Sequence, residues 1–459
     1  MKRASIFETD GIPSIGQSLP LALQHVVAMI VGCVTPAIII ANTVSMSGSD
    51  RIVFIQAALV VSAVATLIQL FPFGPRGFRL GSGLPVMMGV SFAYLASMQA
   101  IASESGVAAI MGAQIVGGIV AVLVGLFITP IRKLFPPMIT GTVIFTIGLS
   151  LYPTAIQYMA GGVSSPDYGS WQNWLIATLT LIIVTVLNHF GRGIIKLASI
   201  LIGMAVGYIV AIPFGLVSLD AVGTAGVFQL PDVMHFGIDF EVSACTAIGV
   251  LFAINAIQAI GDFSATTVGG LGREVSTKEL RGGIIGSGIA NILGSFIGGL
   301  STATYSQNVG IVTTTKVVNR YVLGLGAIIL LIAGIMPKFS AILTTIPQCV
   351  LGGATVSVFA SIAMTGMKLV TSGDMNYRNT SIVGLSAALG VGISQASSAL
   401  ASFPDWVMTT FGKSPVVLAT LVAVLLNVIL PKDKHGADAD SKASTESTVG
   451  IDSKASTES

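Results

Sequence analysis

The chain has 459 residues, 53% hydrophobic and only 9% charged, with a mean hydropathy of +0.88 and a net charge of +2. Soluble domains carry about 25% charged residues, so the composition excludes a water-soluble globule and predicts a polytopic protein of the lipid bilayer. The charge balance points to no acidic partner, and no nucleic-acid motif is present.

The opening segment, MKRASIFETDGIPSIGQSLP, has no short apolar core followed by a small-residue cleavage site, so no cleavable signal peptide is expected. A membrane span needs about 20 mostly apolar residues. In chain order, apolar runs fall near 18–42, 52–71, 80–100, 106–128, 137–153, 172–190, 194–215, 243–263, 282–299, 303–317, 321–336, 345–366, 380–399 and 414–430, which predicts fourteen spans. The 53 glycines suit helices that pack backbone to backbone. With the N-terminus inside, all lysines and arginines except Arg51, Lys338 and Lys413 fall on the inner side, as cytoplasmic loops require. Both termini are therefore expected in the cytoplasm, in a multi-pass protein of the cytoplasmic (inner) membrane.

Cys33, Cys245 and Cys349 lie far apart in or near apolar runs and read as packing thiols. No metal-ligating spacing occurs, and no cofactor is expected. The linker 216–242 reads as a solvated loop, in which FQLPDV and FGIDFEV could form short strands on the outer face. In the tail, DSKASTES appears at 440–447 and again at 452–459. A polar, serine-rich repeat cannot bury a core, so residues 432–459 are expected to be disordered.

Fourteen spans divide into seven and seven. PPMITG at 136–141 opens the fifth span and echoes PQCVLG at 347–352, which opens the twelfth. The third and tenth spans, also seven apart, are the two that look broken, one by Gly81, Gly83 and Pro85, the other by the polar cluster ATYSQNVG. An odd repeat unit inserts its second copy upside down, as in transporters that hold substrate between discontinuous helices. The predicted fold is therefore all-α, a 7+7 inverted repeat whose third and tenth spans are half-helices with short extended segments.

Broken spans expose backbone groups that must be satisfied by protein or by a wet cavity, and a half-helix turns its positive N-terminal end toward the gap. Ser91 and Phe92 follow one break; Gln307 and Asn308 stand just ahead of Gly310 at the other. Amide donors, a carboxamide that donates and accepts, and an aromatic face suit a flat heterocycle with alternating N–H and C=O groups. The alternative is that the two amides simply tie spans together.

Gln307, Asn308, Gly310, Thr315 and Lys316, spaced QNxGxxxxTK, resemble the signature of the nucleobase–ascorbate transporters, the second type of nucleobase:cation symporter. LQHVVAMIVG with His25, AIGDF at 259–263 and PQCVLGGA agree, and the likeness spans about residues 15–430. It implies a homodimer in which a core domain (18–128 and 243–337) moves like an elevator against a gate domain (129–242 and 338–431), after a cytoplasmic segment 1–17. It implies that Gln307 reads the edge of the base, that Phe92 lies beside it, and that the Ser306 amide is in reach. Glutamine rather than glutamate at 307 favours a purine (xanthine, urate, hypoxanthine or guanine) over uracil.

Two positions depart from that pattern: Gln258 stands where the family usually has glutamate, and Ser287 aligns where it usually has aspartate. Glutamine can bond the base but cannot titrate, so Gln258 keeps a binding role and loses a proton-carrying one. His25 and Asp262 remain as proton candidates, each also readable as a structural group. Lys316 reads as a snorkelling end residue. Proton symport is the expectation; sodium symport, uncoupled diffusion, and an anion carrier of sulfate-permease type are the alternatives. No nucleophile–base set suggests an enzyme.

Overall fold

A computed structural model describes residues 5–74, 79–128, 136–163, 165–404, 407–412 and 414–431. The repeated tail, Lys413 and the expected domain boundary at 128/129 lie partly or wholly outside the described residues.

The helices of eight residues or more among the described residues, in chain order, are α1 (Ile15–Thr43), α2 (Gly48–Leu70), α3 (Leu95–Leu126), α4 (Pro137–Met159), α5 (Trp171–Phe190), α6 (Ser199–Ala211), α7 (Val242–Ala265), α8 (Thr277–Phe296), α9 (Ser306–Thr315), α10 (Arg320–Gly334), α11 (Pro337–Thr344), α12 (Gln348–Val370), α13 (Tyr377–Gln395) and α14 (Pro415–Ile429). A 3-10 turn, Phe92–Tyr94, leads into α3, and a π turn, Thr266–Leu271, extends α7. Among the described residues, seven helices are long and apolar enough to cross a membrane: α1, α2, α3, α4, α5, α7 and α12. α10 and α11 pass that test only together, bent by 79°. α11 lies between the eleventh and twelfth expected spans, where the sequence reading placed no helix. The third and fourth expected spans share α3, which breaks at Gly106.

The interruptions in the third and tenth runs are extended segments. β1 (Met88–Val90) and β2 (Thr302–Thr304) pair antiparallel, with Met88 opposite Thr304, Gly89 opposite Ala303 and Val90 opposite Thr302. Three residues per strand cannot satisfy the irregular backbone around them, and buried carboxamides supply the rest. Gln69 donates to the Gly283 carbonyl (2.6 Å) and accepts from the Ser82 amide (3.0 Å). Gln114 donates to the carbonyls of Asn291 and Gly299, both at 2.9 Å, and Asn291 accepts from the Thr302 amide (2.7 Å). Gly81 has φ +96°, and a Cβ there would meet the Ile68 carbonyl oxygen at 1.9 Å, so only glycine fits this turn.

Two tight helix pairs frame the strands. α3 and α8 touch through Gly118 and Gly288, where a Cβ on either would lie within 2.7 Å of the other's carbonyl oxygen. α4 and α12 run antiparallel: Gly141, near the start of α4, faces Val370 and Gly366, while Gly352, near the start of α12, faces Tyr158 and Met159. Pro136 and Pro347, the prolines of the echoed motifs, occupy equivalent N-cap positions of these two helices.

Strands in the linker 216–242 are not formed. Residues 225–241 are irregular, and three of their amides go singly to carbonyls of neighbouring helices or helix caps: Gln229 to Ile335, Met234 to Phe296 and Asp239 to Ala108. The alternation that suggested strands seats side chains instead; Phe236 packs edge-on against Phe54, 5.2 Å between ring centres. Cys33 and Cys349 are buried free thiols, and Cys245 is a half-buried one.

Candidate functional site

The two half-helices begin at the strand pair. Ser91 ends the first extended segment: its amide donates to the Ser301 carbonyl (3.0 Å), and its hydroxyl accepts from the Ala93 amide (3.2 Å), capping the turn that starts at Phe92. Across the pair, Tyr305 anchors the start of α9. Its amide donates to the Met87 carbonyl (3.0 Å) and its hydroxyl to that of Val90 (2.8 Å). Its ring fills a notch left by Gly32 and Gly89, where any Cβ would strike it. Tyr305 offers α9 no side-chain cap, so the amides of Ser306 and Gln307 lack acceptors among the described residues.

A cavity of about 330 Å³ lies at this meeting point, lined by Ser91, Phe92, Ser306, Gln307 and Gln258, with α1, α4 and α12 closing its sides. Gln258 and Gln307 have no hydrogen-bond partner among the described residues, so both carboxamides are free toward the cavity. The Phe92 ring meets Phe359 of α12 edge-on at 5.3 Å, which holds one aromatic face at the cavity wall. Ile144, Ile147, Val358 and Ile362 make the opposite wall apolar.

The other expected residues lie elsewhere. Asn308, expected to contact substrate, is buried on the far side of α9. Its side-chain amide donates to the His25 carbonyl (3.1 Å) and points at His25 Nδ1 (3.1 Å). The cause is helix geometry together with the path of α1: Asn308 is turned about 100° from Gln307, which brings its side chain onto His25 instead of into the cavity. His25 is thus tied to Asn308 and does not line the cavity. Asp262 lies one layer behind it, accepting from the Ser306 hydroxyl at 2.8 Å and from that of Thr304. Ser287 borders a void of about 10 Å³ shared with Asn255 and Thr304.

The rest of the signature ends the half-helix. A Cβ on Gly310 would meet nothing within 4 Å. The Thr315 hydroxyl donates to the Ile311 carbonyl (2.8 Å), and Lys316 takes the left-handed C-cap conformation, φ 58°. Its ammonium reaches the Gly269 carbonyl of the π turn, which fixes the end of α9 to the end of α7.

Residues that the sequence reading did not single out include Tyr305, Thr304 and the α12 hydroxyls Thr355, Ser361 and Thr365. The α12 set carried a signal, since 358, 361, 362 and 365 fall on one helical face.

A family model described as Permease family (Xan_ur_permease) matches residues 16–398. A uric acid permease of Bacillus subtilis (strain 168) is 34% identical over 416 residues, covering 89% of this chain and 91% of that protein. A nucleobase transporter of Paenibacillus larvae subsp. larvae is 32% identical over 436 residues, covering 93% and 98%. Among solved structures, the transmembrane domain of a cyanobacterium bicarbonate transporter superposes with a TM-score of 0.54 at 17% identity, covering 90% of this chain and 98% of that one. At that identity the likeness shows the fold alone. The resemblance carried by the QNVGIVTTTK signature is borne out: the chain belongs to this permease family, whose members here are xanthine, uric acid and nucleobase transporters rather than enzymes.

Proposed function

We propose that the protein imports purine bases (xanthine, urate, hypoxanthine or guanine) across the cytoplasmic membrane. The observation that carries this reading is the pair of unpartnered carboxamides, Gln258 and Gln307, turned into one cavity beside the Phe92 ring. A planar base edge offers donors and acceptors to both, and the uncapped amides at Ser306 and Gln307 add donors. The purine and uric acid permeases among its relatives support the substrate class.

In this reading the chain crosses the membrane fourteen times as a 7+7 inverted repeat, with both termini cytoplasmic. The equivalent N-cap prolines of α4 and α12 and the β1–β2 pair support the repeat. A core built from 18–128 and 243–337 slides as an elevator against a gate built from 129–242 and 338–431, within a homodimer. Asp262 carries the symported proton, because it is buried without a cationic partner and touches the cavity wall through Ser306 and Thr304. His25, bonded to Asn308, is the alternative carrier.

The test is uptake of radiolabelled xanthine by proteoliposomes under proton and sodium gradients imposed separately. Purine-blocked uptake driven by the proton gradient is expected. Sodium-driven uptake, or exchange indifferent to both gradients, overturns the coupling and leaves the substrate class standing.

A further inference from the structure

We propose that two hydroxyls of α12, Ser361 and Thr365, accept from the imidazole edge of the bound purine and set a preference for bases that carry an N–H there. The inference rests on the reading above for the substrate class, and it assigns a role to residues outside the signature.

The cavity has two unlike faces. On one, Gln258 and Gln307 each bring two N–H donors and one oxygen, and the backbone amides of Ser306 and Gln307 add further donors. Donors outnumber acceptors on that face. It suits the carbonyl oxygens and bare ring nitrogens of a purine, and it leaves ring N–H groups short of acceptors.

The opposite wall supplies them. The side chains that α4, α6 and α12 bring to the cavity are apolar apart from three α12 hydroxyls, Thr355, Ser361 and Thr365. Thr355 is buried, and its hydroxyl donates to the Gly352 carbonyl (3.2 Å). Ser361 and Thr365 are exposed and line the cavity one helical turn apart. Each donates to the carbonyl four residues back, Ser361 to Ser357 and Thr365 to Ser361, both at 2.8 Å. A hydroxyl whose hydrogen is held inside the helix keeps its lone pairs and can only accept. This wall therefore offers side-chain acceptors and no side-chain donor.

The two faces together orient the ligand. A purine whose pyrimidine-ring oxygens meet the carboxamides turns its imidazole ring toward α12. An N–H on that ring then finds an acceptor, where a wholly apolar wall would leave it buried and unpaired. Among the described residues neither hydroxyl bonds outside α12, so helix packing makes no use of them.

The experiment is equilibrium binding of labelled xanthine to the purified full chain, with displacement by xanthine methylated at N7 and by xanthine methylated at N9. Either methylation leaves the imidazole ring without an N–H. The unaltered protein is expected to prefer xanthine to both. In the double variant Ser361→Ala, Thr365→Val, xanthine binding is expected to weaken about two- to tenfold. The preference over at least one methylated base is expected to shrink by about the same factor, with melting unchanged. The exchange Ser361→Thr with Thr365→Ser returns both hydroxyls and is expected to restore the preference. If the double variant does not fold, the same ratio is read in the two single variants. Equal affinity of the unaltered protein for all three ligands, or a preference that the variants do not move, overturns the contact alone. If the unaltered protein binds no purine, the substrate reading fails and this contact falls with it.

Discussion

Asn308 turns its side-chain amide onto His25, 3.1 Å from the backbone carbonyl and 3.1 Å from Nδ1, while its neighbour Gln307 faces the cavity. Two adjacent residues of one signature thus do different work. Gln307 meets whatever fills the cavity, and Asn308 ties α9 to α1.

Asn308→Ala should therefore act on stability. Removing the amide leaves the buried His25 carbonyl without this donor, at a cost of about 1–3 kcal/mol. Thermal melting in detergent should fall while the affinity of correctly folded protein changes little. A loss of affinity with unchanged melting would place Asn308 in the binding site.

The α4–α12 contact leaves no room for a side chain at Gly148, where a Cβ would lie 2.4 Å from the Ala363 amide nitrogen. Gly148→Val should cost about 1–3 kcal/mol or more through overpacking and lower the yield of monodisperse protein. Gly384→Ala in α13, with nothing within 4 Å of its Cβ position, should leave yield and melting unchanged or slightly raised. Equal behaviour of the two variants would mean that the helices do not approach as described.

At the start of α8, Ser276 and Glu279 form a capping box, and Arg273 pairs with the same carboxylate at 2.6 Å. Burial works against the charge, but Arg273 and the Ser276 amide and hydroxyl bring the Glu279 pKa down to about 2. A depressed carboxylate contributes stability above its unfolded pKa, about 4.3, and that stability is lost as pH falls through the folded value. Glu279→Gln should lower the melting temperature near neutral pH, by an amount corresponding to about 0.5–2 kcal/mol. The difference from the unaltered protein should close between about pH 4 and 2. A difference independent of pH would show that charge plays no part.

Asp262→Asn keeps the shape, its carboxamide accepting from one of the Ser306 and Thr304 hydroxyls and donating to the other, but it cannot carry a proton. Counterflow exchange of labelled purine should persist, and the response of uptake to an imposed proton gradient should vanish. A variant that still accumulates purine against its gradient would remove Asp262 from the coupling path.

Much of this arrangement was readable in the residues. Gly81, Gly83 and Pro85 interrupt an apolar run where no continuous helix can form, and the structure has turns at both glycines and a strand just beyond. The cluster around Gln307 announced the second break because polar groups at that depth need a cavity or partners. What stayed hidden depends on contacts distant in sequence. The direction of Asn308 follows from where α1 passes, and the seat of Tyr305 from Gly32 and Gly89 on two other elements. The linker residues 225–241 alternate as a strand would, yet among the described residues no neighbouring strand completes a ladder there, and carbonyls of neighbouring helices or helix caps take three of their amides. α11 was missed because its eight residues are too few for an apolar period to stand out.

The central claim is that Gln307 and Gln258 read the purine edge in the cavity, and equilibrium binding of xanthine to the purified protein and its variants tests it most directly. Gln307→Ala and Gln258→Ala should each weaken binding by roughly five- to a hundredfold, corresponding to about 1–3 kcal/mol for an unpaired polar edge, with melting temperatures unchanged. Unaltered affinity in both variants would mean that the base is held elsewhere in the molecule.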